Sequence, residues 1–156
     1  MTLEHRIDLS SIPHLPGRST DLEAKRKRLW QSLPEEERQG AIEVYARPVA
    51  GWELPCTEAG GAYERVLYVL AVTGARLTPG QIAYALLARW HRNTDVGTVR
   101  ARLAAMVRRG HARWTRDGLY YVTAEGVVHL RGVEAAWMAG ERATTGRGII
   151  SDDLQR

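Results

Sequence analysis

Six arginines fall within one short stretch of this chain: Arg100, Arg102, Arg108 and Arg109 on a predicted helix, then Arg113 and Arg116 on the hairpin behind it. A guanidinium is permanently charged and carries a planar fork of donors, which suits phosphate oxygens and the paired acceptors on a guanine edge. Spread along one helix and a short hairpin, such side chains can neutralise several phosphates while one or two reach base edges. On a helical wheel Val96, Val99, Leu103, Met106 and Val107 form the core side. Gly97, Thr98, Ala101, Arg102, Ala105, Arg108 and Arg109 fall on or beside the opposite side, with Arg100 at the boundary. Gly97, Ala101 and Ala105 form a stripe of small residues that would let the backbone approach the floor of a major groove. Thr98 is placed to donate to a phosphate near the helix start. Arg102 is the first candidate for a base contact and Arg100 the second. Arg108 and Arg109 suit phosphate contact or compensation of the helix dipole. Arg116 at the hairpin tip, with a lesser share from Arg113, would reach a flanking phosphate or minor groove. Any one of these could equally be a solvated surface arginine; the clustering is what points to nucleic acid.

Charge along the chain supports this focus. Residues 61–123 hold ten arginines against Glu64, Asp95 and Asp117, whereas residues 1–60 hold eight basic against ten acidic side chains. An excess of arginine over lysine is a general bias of this sequence, yet that bias explains residue type and not position. A second basic run, Lys25-Arg26-Lys27-Arg28, is flanked by Asp21, Glu23 and Glu35–Glu37. It reads first as a solvated face offset by those acids, then as an auxiliary phosphate contact or a partner surface.

Enzymatic readings find no support. His5, His14, His91, His111 and His129 lack metal-ligand spacing, and Cys56 alone cannot build a thiolate zinc site. No phosphate-binding glycine loop is present, and Asp152-Asp153 lies near the chain end. A non-enzyme without metal or cofactor is expected. His111, directly after Gly110, is expected to be a partly buried structural histidine. Trp52, Tyr63 and Trp90 could line a small-molecule effector pocket, although aromatics beside a core more often belong to it. The N-terminus has early charges and no apolar signal core, no apolar run is long enough to span a bilayer, and a lone cysteine forms no intrachain disulfide. These features predict a reduced, soluble, cytoplasmic protein.

The elements that must hold the arginines follow from local signals. An irregular arm (1–18), broken by Pro13, Pro16 and Gly17, precedes a helical extension (19–47). In it, Ser19, Thr20 or Asp21 would cap a helix with Leu22, Leu29, Trp30 and Leu33 as its stripe. Ser32 would cap a second helix burying Ala41, Ile42 and Tyr45. A Pro- and Gly-rich connector (48–61) leads to the main domain (62–139), and a loose tail follows from 140 to 156. The domain opens with a helix from Ala62 to about Thr73, ended by Gly74. Thr78-Pro79-Gly80-Gln81 is a capping box for a helix burying Ile82, Ala83, Leu86 and Leu87. Thr94 or Asp95 caps the arginine-bearing helix (95–109), and Gly110 closes it. Strands at His111–Thr115 and Leu119–Thr123 flank Asp117-Gly118, a strong hairpin signal. Thr123 then caps a last helix along Val127, Leu130, Val133 and Trp137.

The residues Leu77-Thr78, Gln81-Ile82-Ala83 and Leu86, then Thr98-Val99-Arg100, Leu103, Met106 and Gly110, then Arg113, Asp117-Gly118, Tyr120, Val122-Thr123 and Gly126 occur in one order. Over about residues 62–127 this set resembles the winged helix-turn-helix regulators of bacteria, of the MarR and PadR types. The resemblance implies a mainly α fold with a small β-hairpin wing (α+β), here with an N-terminal helical extension. It also implies sequence-specific binding of double-stranded DNA by a homodimeric transcriptional regulator on the nucleoid, with the 95–109 helix in the major groove and the 111–123 hairpin as wing. The last helix, with Val127, Leu130, Val133, Trp137 and Met138, is the preferred dimer interface and the N-terminal helices the second choice. Two other functions remain open: a protein–protein interaction module on the same scaffold, and a DNA-binding accessory factor of replication, partition or a phage. Some MarR-type regulators sense oxidants through a cysteine; Cys56, in a flexible connector with Glu53 and Glu58 nearby to raise its thiol pKa, is poorly suited to that.

Overall fold

The computed structural model describes residues 19–46 and 51–147, so the predicted arm and the last residues of the predicted tail lie outside the described residues. Two helices open it, α1 (Ser19–Ser32) and α2 (Glu35–Ala46). Ser19, Thr20 and Asp21 already belong to the first turn of α1, so none of them stands before it as a cap. Nor does Ser32 cap α2. Its hydroxyl donates back to the Leu29 carbonyl at 2.7 Å, a partner that its own helix already supplies. Arg38 ties the two helices together, donating to the carbonyls of Trp30 (3.2 Å) and Gln31 (3.1 Å). Trp30, Leu33, Ala41 and Val44 are buried, Ile42 is half-buried, and the side chain of Tyr45 lies outside the described residues.

The described part of the connector, residues 51–61, is not loose. Leu54, Cys56 and Ala59 are buried in the core around a short 3-10 turn, Cys56–Glu58. Side chains distant in sequence hold it: the Glu134 carboxylate accepts the Glu53 N–H, and Arg92 donates to the Thr57 carbonyl at 2.9 Å. Arg131 lies 3.6 Å over the Trp52 ring. Glycine and proline content reported the turns of this segment but not its anchors.

Three helices form the centre: α3 (Ala62–Thr73), α4 (Pro79–Trp90) and α5 (Val96–Arg108). Gly74 ends α3 in the left-handed region (φ 60°), with its N–H on the Leu70 carbonyl at 3.0 Å. The predicted capping box is closed on both sides: Gln81 N–H donates to Thr78 Oγ1 (3.1 Å), and Thr78 N–H to Gln81 Oε1 (2.9 Å). The side chain of Asp95 caps α5. Val66, Leu67, Leu70, Ile82, Leu86, Val99, Leu103 and Met106 pack together in the main core, which Leu130 closes from below.

The hairpin pairs β1 (Ala112–Trp114) with β2 (Tyr120–Val122) in antiparallel register, Arg113 opposite Tyr121. Gly118 N–H donates to the Thr115 carbonyl (3.0 Å), and Gly118 has φ 83° while Asp117 does not have positive φ. That is a three-residue loop with glycine in the left-handed position. Leu77 adds a one-residue bridge to the outer side of β2, exchanging bonds of 2.9 and 2.7 Å with Tyr120. The last helix, α6 (Ala124–Arg147), continues past Gly140, where a loose tail was expected. Apolar periodicity marks where a helix is buried, not where it ends, and Glu141, Arg142 and Ala143 are good helix formers without it.

Residues Gln81–Ala88 of α4 are all buried, not only the face expected. Its second face is taken by the extension: Trp30, Leu33 and Ala41 pack on Tyr84 and Ala88, with the Trp30 and Tyr84 rings 5.2 Å apart. A helix apolar on all sides needs cover on all sides, and α1 and α2 provide it.

Candidate nucleic-acid interface

The ten arginines of residues 61–123 divide into two groups by what they touch. Five serve the fold. Arg65 donates to the Gly60 carbonyl, Arg92 to that of Thr57, and Arg89 to that of Val44 at 3.2 Å. Arg76 lies 4.8 Å over the Tyr121 ring and Arg109 4.8 Å over Tyr63. The other five, Arg100, Arg102, Arg108, Arg113 and Arg116, are exposed and have no hydrogen-bond, ion-pair or ring partner among the described residues. All five lie on α5 or on the hairpin.

Along α5, Gly97, Ala101, Arg102 and Arg108 are exposed, as the wheel requires, but Ala105, expected on the exposed stripe, is half-buried and Ala104 is exposed in its place. Arg100 sits at the edge turned towards the hairpin, lining a cavity of about 540 Å³ with Val96, Gly80, Asp117 and Tyr120. Two expected contacts are displaced. Thr98 donates its N–H to Asp95 Oδ1 at 3.0 Å, with its hydroxyl beside the same carboxylate. Both contacts hold the Asp95 carboxyl below its usual range and put a negative charge where a phosphate was expected. Arg109 remains exposed, but its guanidinium is engaged in a stack on Tyr63. The basic run in α1 is also divided: Arg26 is only 3% exposed and ion-paired with Glu23, while Lys27 and Arg28 face solvent. A solvated face therefore describes only part of it.

Trp114 went unnoticed in the sequence. It is 57% exposed, one of two large apolar side chains left open among the described residues, the other being Val128. Strand alternation puts it on the same face as buried Ala112, so its position in the sequence gave no sign of this exposure.

Beneath Arg109 lies a group of titratable side chains. Tyr63 OH is 2.6 Å from His111 Nδ1, the rings of His111 and His129 stack with centroids 4.5 Å apart, and His129 Nε2 is 3.7 Å from Glu64. Burial, then the neighbouring His129 and Arg109, lower the His111 pKa, against a smaller opposing pull from Glu125. His111 therefore favours the neutral form in the folded protein. As pH falls below its usual 6.5 the unfolded chain gains the proton first, so stability is lost on acidification. Thermal midpoints recorded between pH 7.5 and 5.5 should drop for the wild type and drop less for His111→Gln.

Cys56 is 1% exposed and its thiol is pushed up to about 12 by burial, against the pull of Arg65 and Arg92. The expected elevation is present, but desolvation causes it and not Glu53 or Glu58. Thiol reagents at pH 8 should leave Cys56 unmodified in the folded protein and react only as fast as the protein unfolds. Among the described residues no helix is long and apolar enough to cross a membrane. No family model, curated protein or solved structure matches the chain, which leaves its own geometry as the basis for a functional reading.

Proposed function

We propose that this chain is a winged helix-turn-helix protein that binds duplex DNA, with α5 in the major groove and the β1–β2 hairpin as the wing. The observation that carries the reading is the division of the arginines. Every arginine of residues 61–123 that the fold does not use lies on the one helix and the one hairpin that such a protein turns towards DNA. The order α3, Leu77 bridge, α4, α5, hairpin supports it, because the bridge joins the start of α4 to the wing. Small residues at 97, 101, 104 and 105 leave room for close approach to a groove floor.

Binding as a homodimer is part of the proposal, since one recognition helix covers only a few base pairs. The 24 residues of α6 extend about 36 Å. Of its apolar residues Leu130, Val133 and Trp137 pack on the core, while Val128 stays 70% exposed. A transcriptional regulator on the nucleoid is the role that fits a dimeric reader. Selection from a pool of random duplexes at several salt concentrations tests it. Enrichment of a palindrome with half-sites one helical turn apart supports a dimeric regulator. Salt-sensitive retention without a motif supports an accessory DNA-binding role. No retention near physiological salt overturns the reading in favour of a protein-interaction module.

A further inference from the structure

We infer that Trp114 is a base-stacking residue, so that the wing favours DNA carrying an unpaired base beside the segment α5 reads over an uninterrupted duplex. This rests on the nucleic-acid reading above and adds a ligand feature to it. In the hairpin, Ala112, Trp114, Tyr120 and Val122 share one face by the alternation of strand residues. Ala112, Tyr120 and Val122 pack on the core, but Trp114 lies past its edge. The indole has no ring partner or hydrogen bond among the described residues, whereas its cross-strand partner Tyr120 packs on the core and the Tyr121 ring lies under Arg76.

An open groove of about 930 Å³ runs beside the indole, lined also by Val107 and Gly110 at the end of α5 and by Arg113 and Tyr121. Trp114 thus stands on the wing and lines a groove that reaches the end of α5, with unpartnered Arg113 and Arg116 on either side of it in sequence. The arginines select a polyanion, and the flat apolar ring has nothing to offer a phosphate. What it can hold is the face of a base, and aromatic stacking of bases beside cationic side chains is the means by which proteins grip unpaired nucleotides. In an intact duplex those faces are covered by their neighbours, and opening a step has a cost that an unpaired base avoids.

The test compares a fully paired duplex with the same duplex carrying a two-nucleotide bulge, using the wild type, Trp114→Ala, Trp114→Phe and Arg102→Ala. The wild type should bind the bulged duplex roughly tenfold more tightly, within the range of one base–aromatic stack. Trp114→Ala should lose that preference and keep its affinity for the paired duplex, and Trp114→Phe should retain part of it. Bulged DNA should quench the fluorescence of the wild type more than that of Trp114→Phe. Equal binding of both duplexes by the wild type, or an unchanged preference in Trp114→Ala, overturns the stacking role while the groove reading stands. Failure of the wild type to bind either duplex, with Arg102→Ala no different from it, overturns both. Because Trp114 is exposed, the variants should unfold at the wild-type midpoint.

Discussion

Arg102→Ala is expected to weaken binding to a selected duplex by about 1–3 kcal/mol and to relax selectivity at one base pair. Arg116→Ala is expected instead to weaken binding to all sequences alike and to lower the salt slope by about one unit. Neither guanidinium has a partner in the fold, so both variants should retain the wild-type thermal midpoint. Arg109→Ala is the internal contrast. It removes the stack on Tyr63, so its effect should fall on stability, by about 0.5–1 kcal/mol, and little on DNA affinity. Titrations with fluorescent duplex at three salt concentrations, beside thermal melts, separate these outcomes. Wild-type affinity and salt slope in both Arg102→Ala and Arg116→Ala would mean that α5 and the hairpin do not face DNA.

The largest effect on stability is expected at Gly126. A Cβ there would overlap the His111 carbonyl oxygen and lie 3.1 Å from its carbon and 2.9 Å from Val122 Cγ2. The obstacle is backbone already fixed by a bond from Thr123 N–H to the same carbonyl at 3.0 Å. No flexible side chain can move aside, so Gly126→Ala should cost about 2–3 kcal/mol and lower the melting midpoint by about 5–10 °C. Gly132→Ala on the same helix is the matched control. Its Cβ would meet nothing within 4 Å, and the substitution should stabilise by about 0.5–1 kcal/mol. A melting series on the two variants would refute the packing account if Gly126→Ala behaved like Gly132→Ala.

Legibility of the sequence followed the range of the forces involved. The capping box at Thr78, the left-handed Gly74 and the hairpin at Asp117-Gly118 all depend on contacts within a few residues, and each stands where its local signal placed it. The exposed face of α5 was readable for a related reason, since helical spacing alone decides which side remains after the core side is taken. What escaped depends on partners distant in sequence. Nothing near Glu53 announces that Glu134 will hold it, and nothing near Tyr84 announces Trp30. Within the candidate interface the same rule sorts the arginines. Their types were legible, but that Arg109 would turn to Tyr63 and Arg102 would not is set by where α3 passes. Thr98 is the exception: its partner Asp95 is three residues away and is itself legible as a cap, so the bond between them lay within reach of the local pattern.

Because α4 is covered by the main core on one side and by α1 and α2 on the other, it acts as a party wall between two rooms. Neither can be demolished alone. A cut in the connector that removed α1 and α2 would strip Tyr84 and Ala88 of the residues packed on them, leaving an apolar strip that favours clumping over a smaller working domain. Heating should accordingly melt the extension and the arginine-bearing half in one transition. Brief digestion should yield no durable fragment corresponding to residues 62–139.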